Sequence, residues 1–202
     1  MTYRPLVYAT GVAALVALAT GVVLAGAAGG DITGSVKTGR PSDANVVVYL
    51  QQVQGTFPAK TVQMNQKEMQ FIPHVLPIVA GTTVTFLNSD PTPHNVFSPD
   101  NEKFNLGTWP QGQTKDHVFA SCAKAPCVYT QLCRVHPDML GYVVVLQNPY
   151  FAVTDKTGRY EIKDVPPGSY TLAVWSEKGK GQPKAVTVEA GKPVTVDFAI
   201  GK

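Results

Sequence analysis

The most constraining feature of this sequence is a succession of short apolar, β-branched runs that begins after Asp31. The runs are separated by Gly, Pro, Asn and Asp, which form turns, and no amphipathic helical pattern of useful length interrupts them. Apolar residues alternate with other residues in segments 170–175 and 194–200, as in strands with one buried face. Hydrophobic residues make up 44% of the chain and charged residues 15%, which favours a folded core over disorder. The sequence therefore predicts an all-β protein of sandwich architecture.

The N-terminal segment differs from the rest of the chain and predicts export. Arg4 is its only charged residue, and the uncharged stretch from Pro5 to Gly30 has an apolar body. Ala25-Gly26-Ala27 offers the small-x-small pattern that a signal peptidase needs, which favours a cleaved signal peptide over residues 1–30. The alternative is an uncleaved hydrophobic helix that anchors the protein in the membrane through residues 5–30. Either fate places the folded part outside the cytoplasm, for example in the periplasm.

The charge of the chain excludes one class of partner. The formal net charge is +3, and no segment concentrates Lys and Arg with aromatic residues between them. The sequence therefore does not predict nucleic-acid binding.

The candidate chemistry lies in the segment LCRVHPDM, where Cys133, His136 and Met139 are spaced as C-x2-H-x2-M. His94 precedes them in TPHNV, just after an apolar strand. Two imidazole nitrogens and a thiolate in a near-trigonal plane, with a weak and distant thioether, define a type 1 (blue) copper electron-transfer centre. A tight loop would bring three of these donors to one pole of the sandwich, and His94 would arrive from a neighbouring strand end. We therefore predict that the four residues bind one copper ion.

The same residues carry a family resemblance. PHNVFS, followed by C-x2-H-x2-M and then GYVVV, resembles the cupredoxins, and amicyanin most of all. Plastocyanins and azurins share the order His, Cys, His, Met but have longer spacings in the ligand loop. The resemblance covers roughly residues 56–147 and includes PIVAGTTVTFLNSD before the first histidine. It implies a Greek-key β-sandwich whose copper is held by the four predicted ligands. It also implies that Asn95, directly after the first histidine, ties the two ligand-bearing loops together and orients the ligands.

A second resemblance concerns the remainder of the chain. TDKTGRYEI, DVPPGSYTLAV and AVTVEAGKPVTVDFAI resemble the later strands of a carboxypeptidase regulatory-like (transthyretin-like) domain, whose first strands are matched near the N-terminus at 34–36 and 45–50. We therefore expect residues 31–54 and 148–202 to form one small β-sandwich, split by insertion of a cupredoxin domain at 55–147. The alternative is two domains in series, with residues 31–54 belonging to the copper domain.

The three cysteines divide into a pair and a single residue. Cys122 and Cys127, in SCAKAPC, could close a small disulfide loop in an oxidising compartment. The alternative is two unpaired surface thiols. Cys133 is left over in either case and is the candidate thiolate ligand.

These patterns predict a one-electron carrier rather than an enzyme, because the sequence shows neither an open metal position nor an acid/base pair. We expect electrons to leave through the ring edge of His136, flanked by Pro93, Pro137 and Leu140. That small apolar patch would suit transient docking of a redox partner protein such as a cytochrome, a dehydrogenase or an oxidase. The alternatives are a copper storage or delivery protein and a structural module that binds copper with the same ligands.

Overall fold

The computed structural model describes residues 28–120 and 124–201, and every regular element in those residues is a β-strand. The predicted all-β class is therefore confirmed for this part of the chain. The strands are β1 (Gly30–Lys37), β2 (Val47–Gln51), β3 (Thr61–Lys67), β4 (Gln70–Ile72), β5 (Val75–Val79), β6 (Thr83–Asn88), β7 (His94–Ser98), β8 (Phe104–Trp109), β9 (Thr114–Val118), β10 (Cys127–Leu132), β11 (Leu140–Leu146), β12 (Phe151–Val153), β13 (Arg159–Val165), β14 (Gly168–Trp175), β15 (Lys184–Val188), β16 (Val194–Thr195) and β17 (Phe198–Ala199).

The central strands form a sandwich of two sheets, which we call the metal-site sandwich. One sheet has the order β5-β11-β10-β7-β8 and the other has the order β4-β3-β6-β9. Burial alternates along β6, which matches the pattern of a strand with one face on the core. The two sheets enclose a core that contains both aromatic residues and candidate ligands: Met64, Phe71, Ile78, Val84, Phe86, Val96, Trp109, Phe119, Tyr129, Cys133, Met139, Val143 and Val145.

The first two strands and the last six form a second sandwich, which we call the C-terminal sandwich. In one of its sheets β1 lies between β13 and the short strands β16 and β17, and the other sheet has the order β12-β2-β14-β15. Its core is apolar and consists of Ile32, Val36, Val46, Val48, Leu50, Tyr160, Ile162, Val165, Leu172, Val186, Val188, Phe198 and Ile200. The pairing of β1 and β2 with C-terminal strands is what insertion of one domain into another requires, and the predicted domain limits stay a prediction.

A third apolar cluster joins the two sandwiches. It contains residues of β2 and β14 from one sandwich and of β5 and β11 from the other: Val47, Tyr49, Val75, Val144, Leu146 and Ala173. Because successive side chains of a strand point to opposite faces, β11 contributes Val143 and Val145 to the metal-site core and Val144 and Leu146 to this junction. The two sandwiches therefore share a packed apolar interface.

The alternating segment 194–200 is not one continuous strand, in contrast to the sequence prediction. It forms β16 and β17, which both pair in parallel with β1 and are separated at Val196 and Asp197. Asp197 Oδ1 accepts hydrogen bonds from the N–H and the hydroxyl of Ser35, at 2.8 and 2.9 Å. Gly34 lies so close to the carbonyl of Val196 that a Cβ there would overlap it. The side-chain carboxylate therefore takes the place of a backbone acceptor at this break.

Two predictions concern residues outside the described ranges. The signal peptide or membrane anchor is predicted mainly from residues 1–27, and one cysteine of the predicted disulfide is Cys122. Between residues 28 and 120 and between 124 and 201, no helix is long and apolar enough to cross a membrane.

Candidate metal centre

The predicted ligands lie on and between three neighbouring strands of one sheet. His94 is the first residue of β7, and Cys133 directly follows β10, its antiparallel neighbour. The segment from Cys133 to Met139 is the loop that connects β10 with β11. Within it, the N–H of Met139 donates a hydrogen bond to the carbonyl of His136 at 3.1 Å, which closes a turn. The close spacing of the motif is thus the spacing of a tight connection between paired strands.

Three donor atoms converge at this end of the sandwich. The Cys133 Sγ atom lies 3.9 Å from His94 Nδ1 and 4.0 Å from His136 Nδ1, and the two Nδ1 atoms are 3.0 Å apart. The point equidistant from the three atoms lies about 2.1 Å from each, within the usual range of about 2.0–2.3 Å for metal–nitrogen and metal–sulfur bonds. One thiolate and two imidazoles are the equatorial donor set of a type 1 copper centre. The residues present therefore fit a bound copper ion, and copper is the cofactor that this donor set indicates.

The three donors differ in exposure. His94 is 0% exposed and Cys133 3% exposed, whereas His136 is half-buried. Met139 is buried in the same core cluster as Cys133, at the end of the ligand loop. Its predicted role as the distant axial ligand stays a prediction.

Asn95 joins the two ligand-bearing segments, as the family resemblance implies. Its N–H donates to Cys133 Sγ at 3.4 Å, and its Oδ1 accepts from the N–H of Arg134 at 3.3 Å. Its Nδ2 donates to Asn105 Oδ1 at 2.8 Å and to the carbonyl of Gly107 at 2.7 Å. One buried side chain therefore holds the start of the ligand loop against β7 and β8. The hydrogen bond to Sγ also stabilises negative charge on the sulfur.

Asp90 is a functional residue that the sequence analysis missed. Its Oδ2 lies 2.8 Å from His94 Nε2. A carboxylate can only accept, so Nε2 carries the proton and the lone pair of Nδ1 faces Cys133 and His136. Outer hydrogen bonds of this kind fix the orientation of a histidine ligand. The spacing of four residues between Asp90 and His94 can be seen in the sequence, but an aspartate followed by a proline is also common in turns, so it does not by itself identify a functional contact.

The Asp90 carboxylate also holds a strained turn. It accepts hydrogen bonds from the N–H groups of Glu68 and Met69, at 2.7 and 2.9 Å. Both of these residues have a φ of 55°, a conformation that costs energy for residues other than glycine. Burial alone raises the pKa of the Asp90 carboxyl, but the hydrogen bonds from Met69, His94 and Glu68 together lower it below its ordinary value. The group is therefore held as a carboxylate.

Two fully buried amide side chains support these contacts. Gln66 Nε2 donates to the carbonyl of Asn95 at 3.1 Å. Asn88 Oδ1 accepts from the N–H of Asp90 at 2.8 Å, and its Nδ2 donates to the carbonyls of Thr92 and Trp109. The bonds from Gln66 to Asn95 and from Asn88 to Asp90 therefore support the two residues that contact Cys133 and His94.

The surface around His136 contains the residues predicted for electron transfer. Pro93, Pro137 and Leu140 are all exposed, and Val135 adds an apolar side chain that is 46% exposed. The Arg134 guanidinium stacks over the Phe97 ring, 5.2 Å from its centroid. Apolar residues precede and follow the half-buried His136 in the chain, and the electron-transfer role of this patch stays a prediction.

The cysteines divide between two chemical states. Cys133 is a free, buried thiol, and Cys127 is disulfide-bonded. Because Cys122 lies outside the described residues, its pairing with Cys127 stays a prediction.

Two parts of the chain match known protein families. Residues 58–146 match the copper binding proteins of the plastocyanin/azurin family. Residues 139–201 match the carboxypeptidase regulatory-like domain. None of the curated proteins matches the chain.

Several solved structures are similar to part of the chain. A purple cupredoxin from Nitrosopumilus maritimus is 31% identical over 42% of this chain and 98% of its own, with a TM-score of 0.37. A reduced amicyanin variant is 24% identical over 43% of this chain and 82% of its own, with a TM-score of 0.39. A copper-containing nitrite reductase from Thermus scotoductus is 24% identical over 48% of this chain, with a TM-score of 0.39, and the match covers 24% of that enzyme.

Proposed function

The chain belongs to the plastocyanin/azurin family of copper-binding proteins through residues 58–146, and from this premise we propose that it carries single electrons outside the cytoplasm. The observation that carries the proposal is the convergence of one cysteine thiol and two imidazole nitrogens in one buried corner of a β-sandwich. A copper ion bound there supplies a one-electron couple between Cu(II) and Cu(I).

The residues around the centre suit a carrier because they keep the donors in one arrangement. Asp90 holds the ring of His94, and Asn95 donates to the sulfur of Cys133. Both supporting residues are buried and are themselves hydrogen-bonded. The protein therefore holds the donor atoms in position before a metal binds. Electron transfer is fastest when the ligands need not move between the two oxidation states, and this support provides that condition.

The unequal exposure of the donors supports a carrier over an enzyme. His94 and Cys133 are shielded from solvent, and the half-buried His136 is the most exposed of the three donor residues. A substrate would need direct access to the metal, whereas an electron needs only a short path through a ring edge. We propose that the exposed residues Pro93, Pro137 and Leu140 around this ring form the contact for a redox partner protein, which docks transiently.

The location outside the cytoplasm is part of the proposal. Cys127 is disulfide-bonded, and disulfides persist in oxidising compartments such as the periplasm. The apolar N-terminal segment is consistent with export.

We also propose that residues 31–54 and 148–202 form one regulatory-like domain into which the copper domain is inserted. The pairing of β1 with β13 and of β2 with β12 and β14 supports this division. The apolar junction between the two sandwiches suggests that this domain serves as a rigid support for docking or spacing.

A spectroscopic titration tests the central proposal. The full chain is titrated with Cu(II) and its visible absorption and electron paramagnetic resonance spectra are recorded. We expect one copper per chain and an intense thiolate-to-copper absorption, which the Cys133→Ser variant loses because serine offers no thiolate. The Asp116→Ala variant, at an exposed position of β9, is the control and should keep the absorption.

Persistence of the colour in Cys133→Ser, or its absence from the wild type, would contradict the assignment. Electron self-exchange and metal release are then measured on the loaded protein. A carrier exchanges electrons quickly and keeps its metal, whereas a storage or delivery protein transfers the metal to an acceptor.

A further inference from the structure

A polar contact joins the C-terminal sandwich to the ligand loop through one histidine. His74 lies between β4 and β5 of the metal-site sandwich. Its Nδ1 is 3.1 Å from the carbonyl oxygen of Leu140, the residue that directly follows Met139. Its Nε2 is 3.0 Å from Glu177 Oε1, just beyond β14 of the C-terminal sandwich. A single imidazole therefore spans the distance between the other sandwich and the end of the ligand loop.

Both partners of this ring are hydrogen-bond acceptors. A carbonyl oxygen accepts only, and so does an ionised carboxylate. A proton on Nδ1 satisfies the contact with Leu140, and a proton on Nε2 satisfies the contact with Glu177. The side chains of His74 and Glu177 are 32% and 26% exposed, so solvent screens this pair only in part.

The surroundings of the contact are packed rather than loose. The Tyr142 ring lies edge-on to His74, with centroids 5.6 Å apart, and packs against Trp175 of β14 at 5.2 Å. Burial, followed by the charge of Glu177, raises the pKa of the Tyr142 phenol, so this group stays neutral beside the carboxylate. The apolar junction of β2, β5, β11 and β14 includes Tyr142 and Trp175 at its edge. His74 and Glu177 therefore border a packed aromatic edge of the junction between the two sandwiches.

We propose that Glu177 and His74 are positioning residues through which the C-terminal sandwich sets the geometry of the ligand loop and thereby the reduction potential of the copper. The proposal rests on the proposed function, and it gives the C-terminal sandwich a role in tuning the centre as well as in spacing or docking.

The path from the contact to the ligands is short. His74 holds the carbonyl of Leu140, and the preceding residue is the predicted axial ligand Met139. The N–H of Met139 in turn donates to the carbonyl of His136, whose ring supplies one of the converging nitrogens. Movement of the Leu140 carbonyl would therefore shift the positions of both Met139 and His136, two of the predicted ligands. A distant axial bond is weak, so small changes in the position of its donor alter the potential.

The first test is the reduction potential of copper-loaded variants. Glu177→Ala removes the acceptor, and we expect it to change the Cu(II)/Cu(I) equilibrium by about two- to thirtyfold, the usual size of coupling through packed contacts. Glu177→Gln should restore most of the wild-type value, because the amide can donate to a ring that is protonated on Nδ1 alone. Glu189→Ala is the matched control, since Glu189 pairs with Lys192 on the surface of the same sandwich. A Glu177→Ala potential that matches this control overturns the proposal.

The second test uses the metal-free protein and does not depend on copper chemistry. We expect Glu177→Ala to shift the nuclear magnetic resonance signals of Met139, Leu140 and the His136 ring, which a local surface change would leave in place. Shifts confined to Glu177 and its sequence neighbours contradict the proposal. If the wild type binds no type 1 copper but these signals do move, the proposed function fails while the positioning contact stands.

Discussion

The cores of the two sandwiches differ in their polar content. The core of the C-terminal sandwich is a continuous set of apolar side chains, and the buried polar residues among the described residues of its segments are Thr38, Asn148 and Thr154. The metal-site sandwich has a comparable number of strands but buries eight polar or charged residues among its described residues: Gln66, Thr82, Asn88, Asp90, His94, Asn95, Ser98 and Gln131. The core of the C-terminal sandwich is stabilised by apolar packing. The core of the metal-site sandwich replaces part of that packing with hydrogen-bonded polar groups.

The difference shows how a metal centre is prepared before metal arrives. Burying a polar group costs free energy unless a hydrogen bond replaces its contacts with water. In the metal-site sandwich these bonds form a chain that ends at the ligands, from Gln66 to Asn95 and from Asn88 through Asp90 to His94. The buried polar groups therefore orient the donors, and the apolar sandwich beside them contributes rigidity through the shared junction.

The prediction with the largest expected effect tests whether the apolar core of the C-terminal sandwich affects only the stability of the protein and not its copper centre. Leu172→Ala truncates a fully buried side chain of β14, and we expect the free energy of unfolding to fall by about 2–5 kcal/mol. The visible copper absorption of the folded variant should remain that of the wild type. Val153→Ala is the control on the same sheet, because Val153 is exposed and its loss should cost about 0.5 kcal/mol or less. Chemical denaturation and absorption spectra measure both quantities, and a changed copper spectrum in Leu172→Ala would contradict the comparison.

The second prediction removes one buried carboxylate from the polar core. Asp90→Ala leaves the His94 ring without its acceptor, and we expect copper affinity to fall by about 10- to 100-fold. The variant also loses the acceptor of the Glu68 and Met69 N–H groups, which should destabilise the protein by about 1–3 kcal/mol. Competition with a copper chelator measures the affinity. Asp116→Ala, at an exposed position of β9, is the control, and equal affinities in the two variants would show that Asp90 does not position the ligand.

The smallest expected effect concerns acid sensitivity of the C-terminal sandwich. Hydrogen bonds from the Thr157 hydroxyl and from Arg159 lower the pKa of the exposed Asp155 carboxyl from 3.8 to about 2. A carboxyl whose folded-state pKa is lowered adds stability above its unfolded pKa, and this contribution is lost as the pH falls from about 4 to about 2. Asp155→Asn lacks the titrating group, so its urea midpoint should fall less than that of the wild type in this interval.

The matched control for this measurement is Glu161→Gln, which alters another exposed carboxylate of the same sandwich. Its urea midpoint should follow the wild type as the solution is acidified. An Asp155→Asn midpoint that decreases as steeply as the wild-type midpoint would contradict the role of the Thr157 and Arg159 hydrogen bonds.

The sequence by itself determined the features that depend on neighbouring residues. Alternation of apolar side chains correctly indicated the strand over 170–175, because side chains of a strand point to opposite faces at every second residue. The close spacing of Cys133, His136 and Met139 predicted a tight loop, because a segment this short between two paired strands must form a turn. The structure places Cys133 and His136 together with His94 in the arrangement that this spacing suggested.

Only the tertiary structure decided the contacts that support those residues. The bond from Asp90 to His94 depends on how the chain turns through two prolines, and the break at Val196 depends on the approach of Gly34 from a distant strand. The contact of His74 with Glu177 joins two sandwiches. Local patterns determine which face of a strand is buried, but which distant strand packs against that face depends on the pairing of whole sheets. The predicted ligands and Asn95 could therefore be read from the sequence, whereas the contacts of Asp90 with His94 and of Glu177 with His74 required the fold.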